Sequence, residues 1–137
     1  MNEKINNLIP KAMLAIEHYL VDNSVVEKEY KGYISSMGAS IIQAGLLATL
    51  AFYQNDSGKK ANSSNLLKAI LLLIKPDDST ETNLIKYIID HSKKDNTTGQ
   101  HVSVGDLDPD KLYILEEEVS DALIALKLAL RTFKIEK

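Results

Sequence analysis

EYKGYISSMGASIIQAGLLATLAFYQ, residues 29–54, is the stretch of sequence that decides the fold class. It begins as a charged amphipathic segment and ends as an almost wholly apolar one, with Gly38 and Gly45 inside it. Its apolar residues recur at spacings of three and four, which is the period of an α-helix. Each glycine costs about 1 kcal/mol relative to alanine inside a helix, so its presence there requires a physical reason.

Close packing of helices is the reason that the pattern favours. On one continuous helix, the small and apolar residues of this stretch would share a single stripe. Small residues on such a stripe let another backbone approach closely, which can offset the cost of glycine. We therefore predict a helix-packing signature inside the domain's own core, formed by Gly38, Ile41, Gly45, Leu46, Ala48 and Phe52.

The helical period continues through the rest of the chain. No run alternates apolar and polar residues for long enough to indicate a strand. The 137 residues suffice for one domain and are too few for two ordinary ones. We predict an all-α, single-domain bundle of about six helices over residues 1–137, with a long C-terminal helix. The predicted helices cover residues 3–21, 25 to about 38, 41–53, 62–74, 80–91 and 109 to about 133.

Two helix starts near the N-terminus are predicted from local signals. Pro10 would cost about 3 kcal/mol in a helix interior, so it indicates either a kink or a late true start of the first helix. Ser24 and Glu27 have the spacing of a capping box, which places the start of the second helix there. The segment 93–107 has no periodicity and is predicted to be a mobile loop.

Two further starts are predicted in the C-terminal half. Asp78 and Glu81 have capping-box spacing for the fifth helix. Asp108 followed by Pro109 places an N-cap and a first-turn proline at the start of the last helix.

The amino-acid composition limits the kinds of site and the cellular setting that the protein can have. The absence of cysteine excludes a disulfide framework, a thiolate metal site and a cysteine nucleophile, and it suits a reducing cytoplasm. The densest apolar run, residues 69–74, is far shorter than the roughly 20 residues that a bilayer requires. No signal peptide is visible at the N-terminus. We expect a soluble, cytoplasmic protein that does not contact a membrane.

The residues that could carry catalysis are not arranged for it. His18, His91 and His101 have no metal-binding spacing, and no glycine-rich nucleotide loop is present. Glu116, Glu117 and Glu118 are adjacent, so on a helix they point about 100° apart. We predict no enzymatic activity, no metal, no cofactor and no small-molecule substrate.

The charge is unevenly distributed along the chain. The net charge is −3, yet residues 61–120 are strongly acidic while residues 121–137 carry a basic excess. Such a chain lacks the overall positive field of a free-standing nucleic-acid binder. Any contact with nucleic acid would therefore use local basic stripes.

Two such stripes are candidates for RNA binding. Lys127, Arg131 and Lys134 recur at spacings of four and three, which on a continuous last helix would form one stripe. Lys28 and Lys31 form a second candidate on the second helix. The alternative for the first group is simple complementarity to the helix dipole, and for the second a solvated helix surface. If RNA binds, the contacts neutralise phosphates and do not read bases.

Two motifs resemble a known family. The first combines the Tyr30-Lys31 pair with Gly38, Ile41-Ile42, Gly45-Leu46-Leu47 and Leu50 to Tyr53; the second is Leu130-Arg131-Thr132-Phe133. In order and spacing they resemble the small α-helical subunit of Cmr complexes, the type III-B CRISPR effectors, which is the fifth Cmr protein family.

The resemblance implies a non-catalytic structural subunit. It would stack as multiple copies and line the target-RNA groove through basic helix faces, while cleavage and signalling belong to other subunits. Its partners would be other Cmr subunits, further copies of itself, and crRNA and target RNA within the complex. An alternative stays open: a helical protein–protein interaction or regulatory adaptor module without nucleic-acid binding.

Overall fold

A computed structural model describes residues 3–54, 61–95 and 104–135 of the chain. Helices dominate these residues, and the predicted all-α bundle with a long C-terminal helix is confirmed. The elements are α1 (Glu3–Tyr19), β1 (Val21–Asp22), β2 (Val25–Val26), α2 (Glu29–Ala44), α3 (Leu46–Tyr53), α4 (Ser63–Ile74), α5 (Leu84–Ser92) and α6 (Pro109–Ala129), with short 3₁₀ turns at Val104–Asp106 and Leu130–Thr132.

The core is built around α6, which packs against α1, α2, α4 and α5. Ala12 and Ala15 on α1 and Ala122 and Ala125 on α6 are fully buried. Since α1 and α6 form the most extensive helix pair, these alanines allow the two helices to approach closely. Close packing is therefore achieved by alanines of the first and last helices.

The packing explanation of the two glycines is wrong. α2 runs unbroken through Gly38, and a Cβ atom added at either glycine would meet no atom within 4 Å. Gly45 is instead the break between α2 and α3, with φ 93° and ψ 164°, a conformation that an L-residue rarely adopts. Because the break reorients α3 relative to α2, the predicted stripe does not continue: Ala48 is exposed and Phe52 is 74% exposed. The other two residues of the predicted signature, Ile41 and Leu46, are buried.

The break folds α3 back along α2. The Thr49 hydroxyl donates to the carbonyl oxygen of Gly45 at 2.8 Å and lies 2.8 Å from the hydroxyl of Ser40. Farther from the break, the rings of Tyr33 and Tyr53 lie 6.3 Å apart. The two helices thus form a helical hairpin whose turn is a single glycine.

The predicted start of the second helix at Ser24 and Glu27 is also wrong. Strands β1 and β2 pair antiparallel across this region, and α2 begins only at Glu29. The turn places Asn23 and Ser24 at φ 52° and 68°, which asparagine tolerates better than most residues. The flanking valines favour extended backbone, and so a hairpin forms where the capping-box spacing predicted a helix.

Other boundaries are confirmed or shifted by their caps. The Asp108 carboxylate accepts from Asp110 N–H at 2.9 Å, which confirms it as the N-cap of α6. The start of α5 is later than predicted, because the Asn83 side chain caps it by accepting Lys86 N–H at 2.9 Å. Glu81 accepts the backbone N–H of Asn83 in the segment before the helix, and so does not form the predicted capping box.

α1 begins at Glu3 and continues through Pro10, so the late start is wrong. Lys93 pairs with Leu107 in an antiparallel bridge that closes the base of the predicted loop 93–107. Most of that loop, residues 96–103, and with it His101, lies outside the described residues.

Candidate nucleic-acid interface

The two predicted groups of basic residues lie at the same end of the molecule. Val26 N–H donates to the carbonyl oxygen of Lys134 at 2.9 Å, and Val26 forms a parallel bridge with Ile135. This contact joins the segment just before α2 to the segment just after α6. We call the surface formed by Lys28, Lys31, Lys127, Arg131 and Lys134 the basic end.

All five side chains of the basic end are exposed. Within residues 3–54, 61–95 and 104–135, no ion pair involves any of the five. Glu27 and Glu29 flank Lys28 in sequence, and Glu136 follows Lys134 by two residues. The five cations therefore present their charge to solvent, where a polyanion could reach them.

The spacing predicted that Lys127, Arg131 and Lys134 lie on one helical stripe. The structure shows that they do not. α6 ends at Ala129, Arg131 lies in the 3₁₀ turn, and Lys134 follows that turn, outside any helix. The Thr132 hydroxyl donates to the Ala129 carbonyl at 2.8 Å, which helps to end the helix. The extended conformation of Phe133 then carries Lys134 towards Val26.

Tyr30 anchors the start of α2 and thereby positions Lys31. Tyr30 is 1% exposed, and its hydroxyl accepts the N–H of Asn62 at 3.1 Å. One turn later, the Tyr33 hydroxyl donates to the Ala61 carbonyl at 3.2 Å. These bonds tie α2 to the start of α4, so the neighbouring Lys31 is held outwards on a rigid helix.

A second cluster of charges lies near the middle of α6 and was not predicted from the sequence. Burial raises the pKa of the Glu118 carboxyl, an effect that Lys4 and His91 oppose and Asp121 reinforces. Glu118 follows the buried Leu115 at helical spacing, which is the signal that could have identified it as a residue near the core.

We expect Glu118→Gln to stabilise the protein at neutral pH and to have little effect in acid. Because the folded state raises the pKa of Glu118, the native protein holds the proton more tightly than the unfolded chain. This contribution is complete below the ordinary glutamate range and is lost as pH rises through the higher folded pKa. The amide variant keeps a neutral group at every pH, so its melting temperature should exceed that of wild type by up to a few °C at pH 7.

Thermal unfolding of both proteins at pH 4 and pH 7 measures this difference. Glu17→Gln, at an exposed position on α1, is the matched control because it also replaces one carboxylate by an amide. An equal effect of Glu118→Gln at both pH values would contradict the prediction.

The described part of the chain contains neither a metal cluster nor a membrane span. Among these residues, no three His, Cys, Asp or Glu side chains come together as a possible metal site. No helix in the same ranges has the length and apolarity needed to cross a bilayer.

The fold and the basic end together identify the class of protein to which the chain belongs, which is a small all-α protein with a cationic end. The family model of the CRISPR-associated protein Cas_Cmr5 matches residues 8–101, which is more than half of the chain. The chain therefore belongs to the Cas_Cmr5 family, and the predicted resemblance is confirmed. The first motif lies inside the matched residues and the Leu130–Phe133 motif outside them. The comparisons with curated proteins and with solved structures found no match.

Membership of this family supports a subunit associated with other Cmr proteins. The assignment of individual residues to RNA contacts stays a prediction.

Proposed function

We propose that this chain is a non-catalytic structural subunit of a type III-B CRISPR ribonucleoprotein effector in the cytoplasm. It stacks as several copies, and its basic end lines the groove that holds target RNA. One observation carries the proposal: in a member of the Cas_Cmr5 family, five basic residues from opposite parts of the chain lie at one end.

The chemistry at this end suits phosphates. Lysine and arginine side chains that are exposed and outside ion pairs can displace the cations condensed on a nucleic acid, which gives an affinity that falls steeply with salt. Such contacts position the strand and carry no sequence information. This suits a groove in which base pairing with a guide RNA supplies the sequence recognition.

Stacking of several copies supplies the affinity for RNA that one copy lacks. Three to five phosphate contacts from a single chain give weak binding at physiological salt. Copies arranged side by side bind one strand through effective concentration, so the overall affinity exceeds that of each copy by orders of magnitude. The same arrangement lets a chain with a net charge of −3 bind RNA through a local basic surface.

Co-purification from the native host tests the proposal. A tagged copy expressed at its natural level should recover other Cmr subunits and a guide RNA, with more than one copy of this chain for each single-copy subunit. The untagged strain serves as the control. Recovery of the chain without Cmr proteins and RNA would overturn the proposal and favour the adaptor alternative.

A further inference from the structure

We infer that the cavity beside Tyr19 binds one unpaired nucleotide of a single-stranded RNA. The inference rests on the proposed function, because it gives the strand bound at the basic end a second contact, made through a base. The cavity lies between α1, α4 and the segment before α5, and it is lined by Tyr19, Lys68, Leu71, Leu72, Lys75, Glu81 and Thr82.

The walls of the cavity are arranged as a nucleotide requires. Lys68 and Lys75 are seven residues apart, about 10 Å along the axis of α4, with Leu71 and Leu72 between them. This separation corresponds to about three nucleotides of a stacked strand at about 3.4 Å each. The two ammonium groups can therefore contact phosphates about three nucleotides apart, with one of the intervening bases resting on the apolar floor.

The size of the cavity limits what can enter. Its volume is about 280 Å³, at the lower end of the roughly 300–1,000 Å³ found for small-molecule sites. One base fits such a volume, whereas a folded peptide element does not. Tyr19 supplies an aromatic ring, and stacking of bases on aromatic side chains tolerates every base.

Two acidic residues lie near the cavity, and neither forms an ion pair with Lys68 or Lys75. The Glu81 carboxylate accepts the backbone N–H groups of Thr82 and Asn83 at 3.1 and 3.0 Å. Asp77 pairs with Lys11 at 3.2 Å. Among the residues that the structure describes, no ion pair joins Lys68 or Lys75 to an acid. Lys75 Nζ donates to the carbonyl oxygen of Glu81 at 3.3 Å, which holds this lysine at the rim.

Backbone pairing links the segment after the cavity to the basic end. Tyr19 precedes Val21 by two residues, Val21 pairs with Val26, and Val26 N–H is bonded to the Lys134 carbonyl. The inference requires that a strand whose phosphates lie on the basic end continues from there to the cavity.

Comparing an RNA strand with a strand that lacks bases distinguishes binding at the cavity from binding at the basic end. We expect the full chain at low salt to bind a short single-stranded RNA about tenfold more tightly than an abasic strand with the same phosphates. Tyr19→Leu should abolish this preference. Tyr19 also packs against the core, so Lys68→Gln, at an exposed position, provides a second variant that leaves the fold intact. It should weaken binding of the RNA several-fold, whereas Lys86→Gln, an exposed lysine on α5, should not.

Each outcome of these binding measurements either supports or overturns the inference. A tenfold preference that Tyr19→Leu removes would support the cavity. Equal binding of both strands, with affinity that still depends on the basic end, would overturn the cavity and leave the proposed function standing. Failure of both strands to bind would overturn the RNA contact in the proposed function and the cavity together.

Discussion

Reversing the charges of Lys127, Arg131 and Lys134 to glutamate should weaken binding of single-stranded RNA by about 100-fold at about 0.1 M salt. Each phosphate neutralised on a single strand contributes about 0.7 to the slope of log affinity against log salt. Three lost contacts therefore remove about two units from that slope. Affinity falls because the variant releases fewer condensed cations on binding, and this loss needs no change in the fold.

Fluorescence anisotropy of a labelled oligonucleotide over a range of salt concentrations measures both the affinity and the slope. Because all three residues are exposed, the circular dichroism spectrum should be unchanged. If affinity and slope both persist in the triple variant, the basic end does not bind RNA and the adaptor alternative is favoured.

Two double variants with reversed charges distinguish the effect of a lysine's position on RNA affinity from the effect of net charge. Lys28→Glu with Lys31→Glu changes the other half of the basic end, while Lys86→Glu with Lys94→Glu makes the same charge change at exposed positions elsewhere. We expect the first pair to weaken binding by about tenfold or more, and the second by less than about threefold. Equal losses would show that overall charge decides the affinity.

Replacing Gly45 by alanine should destabilise the protein by about 2 kcal/mol, whereas the same change at Gly38 should stabilise it by about 1 kcal/mol. Gly45 has φ 93°, where any Cβ atom is strained. It also lies at the turn that lets Thr49 N–H and the Thr49 hydroxyl bond to its carbonyl. Gly38 lies within α2 with open space around its Cα, so alanine there only reduces the entropy of the unfolded chain.

The two glycine variants serve as controls for each other, since both add one methyl group to the same helical hairpin. Urea unfolding followed by circular dichroism gives the free energy of unfolding for each. Close packing at both positions would make both changes destabilising. The opposite signs that we expect test whether Gly45 is required for its backbone conformation. A stable Gly45→Ala variant would contradict that conclusion.

Local patterns in the sequence predicted much of the fold. Spacings of three and four predicted the helices, and the Asp108-Pro109 pair predicted the start of α6 at the correct residue. Patterns with two possible interpretations were less reliable. Ser24 and Glu27 have capping-box spacing, but the valines around them pair as strands because β2 also contacts the chain after α6. A long-range partner of this kind leaves no local signal.

The candidate sites were predictable to different degrees. The spacing of basic residues singled out the five members of the basic end as two separate groups, and their contacts with RNA stay a prediction. The cavity beside Tyr19 was not predicted, because its lining joins Tyr19 to residues 68–82, about 50 positions away in sequence. Glu118 lay within a run of three glutamates whose different environments appear only after α6 is packed against its neighbours.

The amino-acid sequence by itself determined the helical class, several helix boundaries and the kinship with the Cas_Cmr5 family, because helix period, caps and family motifs are properties of nearby residues. Only the tertiary structure decided that Gly45 is a turn and that Lys28 and Lys134 belong to one surface. The physical reason is that a backbone break and a contact between chain ends depend on how helices pack, and residues about 100 positions apart carry no local record of that packing.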